Sequence, residues 1–182
     1  ILVKQALSGR RGAFEELVER HRTRVFSVLL RTIGDRDMAE DLTQETFIRA
    51  YRRLDAFSSE VAQFSTWLVT IAARIGIDAH RRKKPGESLE QLSEGKGFDP
   101  PSESRTERGA ESEAVSQLIH ASLSRLPERQ RMAVTLKHIE DLPFTEVARI
   151  MGCSVHSATV HAHRGRKQLA VYLGHLREEA AL

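Results

Sequence analysis

Apolar residues recur along the first third of the chain at helical spacing. Phe14, Leu17, Val18, His21, Val25, Val28, Leu29 and Ile33 fall along one face of a 3.6-residue period, and Gly34 supplies a stop. In "DRDMAEDLTQETFIRAYRRL" a second stripe runs through Leu42, Phe47 (by way of Thr46), Ala50, Tyr51 and Leu54. A third run, "QFSTWLVTIAARIGIDAHRRKK", sets Phe64, Trp67, Leu68, Ile71, Ala72 and Ile75 at i, i+3, i+4, i+7, i+8 and i+11. No stretch alternates convincingly as a strand, so the predicted fold class is all-α.

The C-terminal third carries a more specific pattern. "LPFTEVARIMGCSVHSATVHAHRGRKQL" predicts a short helix from Thr145 to Met151, a turn at Gly152-Cys153-Ser154 and a longer helix to about Leu169. This is a helix-turn-helix. Ala148 and Gly152 are small where two helices must cross, and glycine accepts a left-handed turn. Val147, Met151, Val155, Ala158 and Ala162 are expected to bury the shared face. Ser157, Val160, His161 and Arg164 are expected outside, with Arg166 and Lys167 near the end. Such a second helix suits the major groove of DNA, and a plain αα-hairpin in a bundle is the alternative.

Charge divides the chain into blocks. Residues 1–84 hold 16 basic and 11 acidic side chains, a net of +5; residues 85–113 hold 3 and 8, a net of −5; residues 114–182 hold 9 and 6, a net of +3. Two basic blocks therefore flank an acidic one, which suggests a polyanionic partner or a solvated surface. The acidic block is rich in Gly, Pro, Ser and Glu, and its large apolar residues are Leu89, Leu92 and Phe98. It cannot bury enough surface to offset its ordering entropy, so a flexible linker is expected, with room for a short helix near Leu89. The expected architecture is two small helical domains, 1–84 and 114–182, joined by the acidic linker 85–113. A hydrophobic content of 40%, lean for one compact globule, agrees with a substantial polar segment.

The second predicted helix has an unusual polar side. Asp41, Gln44 and Glu45 come early, and Arg49, Arg52 and Arg53 come late. The acids suit either a basic partner or the positive end of the helix itself, and the arginines suit a partner or plain solvation. Elsewhere no nucleophile–base–acid set, phosphate loop or metal-spaced cluster is found. His156, His161 and His163 are offset by five and two and do not share a helix face as metal ligands at i, i+4 would. The single cysteine, Cys153, excludes an internal disulfide, fits a reducing cytoplasm, and sits at a turn position expected to be too buried for redox sensing. No apolar run reaches membrane-spanning length, and no signal peptide is visible.

Three stretches, in order, resemble the extracytoplasmic-function sigma factors, the small two-domain class of bacterial transcription initiation factors. "AEDLTQETFIRAYRRLDAF" is similar to the family's core-polymerase-binding helix, and "FSTWLVTIAARIGIDAHRR" to the helix that opens and reads the −10 element. "LSRLPERQRMAVTLKHIEDLPFTEVARIMGCS" with "HRGRKQL" resembles the −35-binding domain. The resemblance implies a non-enzymatic factor of the bacterial cytoplasm without metal or cofactor. Its partners would be core RNA polymerase, promoter DNA and an anti-sigma factor, and its linker would enter the polymerase's RNA-exit path.

The resemblance also distributes roles. Core binding would fall to Asp41, Gln44, Glu45, Arg49 and Arg52. The loop "DAFSSEVAQF" would hold a flipped −10 base, with polar edges from Ser58, Ser59, Glu60 and Gln63 and a wall from Phe57 or Phe64. Trp67 is a family hallmark, but its spacing places it in the core. Arg74, Asp78, His80 and Arg81 lie off the apolar stripe, towards DNA. The −35 readers would be His156, Ser157, Val160, His161, Arg164 and Lys167. Two departures affect base preference. Relatives have Asn where Arg74 stands, and they commonly read "TVKSRLHRGR" where this chain reads "SATVHAHRGR". The second change removes bulk and formal charge from the recognition helix. Other classes fit less of the chain: a ligand-sensing helix-turn-helix repressor or activator, an enzyme joined to a DNA-binding module, or a protein-interaction adaptor. Transcription with purified core polymerase separates them.

Overall fold

The computed structural model describes residues 1–10, 12–83 and 110–179, with the backbone alone at 80, 81, 83, 110–116 and 175–179. The predicted linker, up to residue 109, lies outside the described residues. The chain divides into two compact units, Ile1–Lys84 and Pro85–Leu182. Every described element is helical.

The first unit is built from α1 (Leu2–Leu7), α2 (Ala13–Ile33), α3 (Arg36–Arg52), a 3₁₀ turn (Leu54–Ala56) and α4 (Phe64–Lys83). α2, α3 and α4 pack against one another in all three pairings, and α1 lies on α2 and on the 3₁₀ turn. The predicted stripes form the centre: Leu17, Val25, Val28 and Leu29 from α2 meet Leu68, Ala72 and Ile75 from α4, all buried. Gly34 ends α2 in the left-handed conformation (φ 79°), a role that favours glycine. One residue later, Asp35 caps α3 by accepting a hydrogen bond from the Met38 N–H at 3.0 Å.

The buried side of α3 differs from its predicted stripe. It is Ala39, Thr43, Thr46, Phe47 and Ala50, with Leu54 beyond the helix end. Thr43 and Thr46 are tolerated inside because each hydroxyl donates to the carbonyl four residues back, Ala39 at 2.6 Å and Leu42 at 2.7 Å. Tyr51, expected inward, is instead 62% exposed and lies edge-on to Phe14 with ring centroids 4.9 Å apart.

The second unit comprises α5 (Ala110–Ser124), α6 (Glu128–Val134), a π turn (Thr135–Ile139), α7 (Phe144–Met151) and α8 (Val155–Glu179). α5 starts inside the segment expected to be linker, and α8 runs well past Leu169. α8 is the spine, touching α5, α6 and α7. Leu123, Leu126 and Val134 form a core cluster against Leu169 and Tyr172 of α8. Ala158, Ala162 and Gly165 line the inner side of α8. At Gly165 the approach of α6 is very close: a Cβ there would lie 2.7 Å from Val134 Cγ2 and 3.1 Å from the Gln130 carbonyl oxygen.

Candidate nucleic-acid interface

In the second unit, α7 and α8 form the helix-turn-helix. Gly152 takes φ 62°, ψ 42°, and its N–H bonds back to the Ala148 carbonyl. The Cys153 N–H reaches the same oxygen at 3.1 Å, which closes the turn. Ser154 then caps α8: its Oγ accepts the Ser157 N–H at 3.1 Å and its hydroxyl donates to Ser157 Oγ at 3.0 Å. Val147, Met151, Ala158 and Ala162 are buried as expected, but Val155 is not. It is 46% exposed at the first position of α8.

Helical periodicity sorts the outer residues of α8. The side opposite Ala158, Ala162 and Gly165 carries His156, Val160, His163 and Lys167 at i, i+4, i+7 and i+11, with Thr159, Arg164 and Arg166 exposed beside them. Val160 is half-buried. His161, expected on this face, turns towards the inner side, is half-buried and interacts within the fold. Ser157 is half-buried too, with its hydroxyl engaged by Ser154. His163 and Thr159 were not picked out as DNA readers by the sequence reading. The Thr159 hydroxyl donates to the Val155 carbonyl at 2.9 Å. The spacing of His163 from His156 and Lys167 was the available signal. Burial pushes the Cys153 thiol above the ordinary cysteine range, against the opposing pull of Arg129 and a hydrogen bond with the Ala158 backbone.

In the first unit, α3 begins at Arg36, so Asp41 lies in its second turn. The field of a helix terminus fades within the first turn, which leaves Asp41, Gln44 and Glu45 without that explanation. Asp41, Gln44 and Arg52 are exposed, and Glu45 is half-buried and paired with Arg49 (Nε to Oε1, 2.6 Å). Between them, at i+7 from Asp41, stands Ile48, 46% exposed. Sequence reasoning passed over Ile48. An isolated apolar residue within a polar row was the clue. The row Asp41–Gln44–Glu45–Ile48–Arg52 is a polar face with an apolar centre.

The loop from Phe57 to Gln63 joins the 3₁₀ turn to α4. Ser58, Ser59, Glu60, Val61 and Gln63 are exposed, and the Val61 and Ala62 N–H groups fold back on the Ser58 carbonyl at 3.2 and 3.3 Å. Rings hold its two ends together. Phe57 and Phe64 meet at 5.3 Å nearly perpendicular, and Trp67 touches both, at 5.4 and 5.6 Å. Trp67 is half-buried in this cluster and does not belong to the buried core. From α2, His21 sets its ring against Phe64 at 5.4 Å. Burial lowers the His21 pKa below the usual imidazole value, and Arg24 and Arg20 lower it further. On α4, Arg74 is half-buried and Asp78 exposed. The His80 and Arg81 side chains lie outside the described residues.

Among the described residues no three His, Cys, Asp or Glu side chains converge as a metal site, and no helix is long and apolar enough to cross a membrane. The described residues thus hold a loop anchored by aromatic rings, a polar helix face with an apolar centre and a helix-turn-helix.

Residues 17–85 match the family Sigma-70 region 2, and residues 116–169 match Sigma-70, region 4. The fold is thus that of a sigma-70-type initiation factor. The ECF RNA polymerase sigma factor SigW of Bacillus subtilis is 32% identical over 173 residues, 92% of each chain. The ECF RNA polymerase sigma-E factor of Escherichia coli is 33% identical over 176 residues, 93% of this chain and 91% of that one. The chain belongs to the extracytoplasmic-function sigma factors, which bring core RNA polymerase to specific promoters. The sigma factor RpoE of Bartonella quintana, solved with the anti-sigma factor NepR, has the same fold. Its TM-score is 0.61 at 22% identity, over 88% of this chain and 96% of that one.

Proposed function

We propose that residues 1–84 dock on core polymerase and capture the −10 element, that 85–113 is the linker, and that 114–182 reads the −35 element. The observation that carries the docking role is the outward row of α3. Acids and an amide surround one exposed isoleucine, on a helix whose opposite side is fully engaged in the core. Interfaces draw their energy from such apolar centres within polar rims. Asp41, Gln44 and Glu45 supply acceptors and an amide to a basic partner helix, and Ile48 supplies the anchor. Arg49 fixes Glu45, and Arg52 extends the row.

The loop supplies the −10 pocket. Ser58, Ser59, Glu60 and Gln63 offer polar edges above a floor of Phe57 and Phe64, as an unstacked base requires. Arg74, Asp78 and Arg81 contact the flanking strand. In the second unit the −35 readers are His156, Val160, Arg164 and Lys167 of the sequence reading, joined by His163. Ser157 and His161 act by holding α8 in place. The protein carries out no catalysis of its own, works in the bacterial cytoplasm and is held in check by an anti-sigma factor, as RpoE is bound by NepR.

Reconstitution tests this reading. With purified bacterial core enzyme and fragmented genomic DNA, the chain should restore discrete transcript 5′ ends. Absence of specific initiation, with a known sigma factor working in parallel, would refute it.

A further inference from the structure

The residues given a role at the −10 loop all come from the loop and from α4. The ring cluster beneath the loop has a fourth member from elsewhere in the chain. His21 lies in the middle of α2, and its imidazole sits edge-to-face with Phe64 at 5.4 Å and an interplanar angle of 61°. Phe64 is the foot on which the loop returns to α4, and it touches Phe57, the foot from which the loop leaves. Trp67 touches both feet but shares α4 with Phe64, so it cannot tie that helix end to α2. His21 can, because α2 packs on both α3 and α4.

We propose that His21 is a positioning residue for the −10 base: its ring holds Phe64, and through Phe64 the floor and span of the Phe57–Gln63 loop. The proposal rests on the reading of that loop as the base pocket. Ring contact is the operative property. A flat side chain against a flat side chain restricts Phe64 to few orientations, and an aliphatic or truncated side chain leaves it free to swing. A neutral ring also suits the site, since Arg20 and Arg24 flank it on the same helix and a further cation would be repelled. His21 is half-buried on α2, and its ring packs against Phe64.

The test uses reconstituted holoenzyme and a promoter recovered from genomic DNA by the wild-type holoenzyme. Four versions of the promoter vary the one −10 position at which wild type discriminates most. A matched template with a pre-opened −10 bubble of unchanged sequence controls for loading. His21→Ala should lose about fivefold of the discrimination among the four bases, the equilibrium weight of roughly one aromatic pair. It should keep core affinity and initiation from the pre-opened template. His21→Phe, which restores a ring, should recover the discrimination. If His21→Ala fails to fold, as judged by far-UV circular dichroism, His21→Leu takes its place with the same expected loss. Full discrimination in the ringless variant, or no recovery with His21→Phe, overturns the positioning role. Replacing Ser58, Ser59 and Glu60 together by Ala tests the pocket separately. If that variant discriminates as wild type does, the pocket reading falls and the role of His21 falls with it.

Discussion

Gly165 gives the sharpest numerical prediction. It lies inside α8, where Gly→Ala normally stabilises a helix by about 1 kcal/mol. Here the new methyl would sit 2.7 Å from Val134 Cγ2, 3.1 Å from the Gln130 carbonyl oxygen and 3.2 Å from Gln130 Cβ. Carbon–carbon contacts are comfortable at about 3.5–4.0 Å, so roughly 1 Å of room is missing. Turning Val134 aside does not suffice, because the second obstacle is the backbone of α6. The helices must part, and overpacking of this kind costs about 1–3 kcal/mol. Gly174, on the same helix, has nothing within 4 Å of its would-be Cβ. The helix-propensity gain is common to both substitutions and cancels on subtraction. Gly165→Ala should therefore be less stable than Gly174→Ala by the overpacking term alone, about 1–3 kcal/mol. Urea unfolding followed by far-UV circular dichroism measures this. Emission from Trp67, the only tryptophan, reports the first unit and should not move in either variant. Equal midpoints for the two variants would show that α6 and α8 are not in such close contact.

Other expectations concern binding, acidity and the thiol. Changing Asp41, Gln44 and Glu45 together to Ala should weaken core-polymerase binding while altering stability by at most about 0.5 kcal/mol, since the Glu45–Arg49 ion pair that is lost is partly exposed. Ile48→Ala should weaken the same binding, by about 1 kcal/mol or more if it is the anchor, and surface plasmon resonance on immobilised core reads both. His21 and His138 have lowered pKa values, chiefly from burial, with Arg24 and Arg20 adding to the first and Arg166 and Lys137 to the second. The unfolded chain then binds more protons, so stability is intact above about pH 6.5 and declines as pH falls through the lowered folded values. Urea midpoints across that range check this, and His21→Phe should make the Trp67-reported midpoint less dependent on pH. Cys153, its thiol pushed up by burial, should react with iodoacetamide at neutral pH more slowly than free cysteine does.

Long apolar stripes made α2, α4 and the helix-turn-helix legible in the sequence, because burial on one side leaves a period that survives inspection. The exceptions have physical causes. Thr43 and Thr46 look polar but are buried, since their hydroxyls are satisfied by their own helix. Tyr51 and Val155 look apolar but lie outside, one at the surface beside Phe14 and one at a helix start. His161 and His163 are indistinguishable by type, and a two-residue difference along α8 turns one inward and the other out. The polar row on α3 was visible, but Ile48 within it gained meaning only once its exposure was seen. The contact of His21 with Phe64 joins residues far apart in sequence, and no local pattern encodes it.

The paired feet of the Phe57–Gln63 loop bear on how such a protein can change over time. Phe57 and Phe64 meet directly and are braced from below, so the residues between them hang from a fixed frame. Exposed loop positions on a rigid scaffold accept substitution at little cost to folding. Residues 58–63 thus form an exchangeable cassette. If the loop holds the −10 base as proposed, a lineage can acquire a new promoter vocabulary by rewriting that short stretch, and a designer can do the same by grafting it between relatives that keep both phenylalanines.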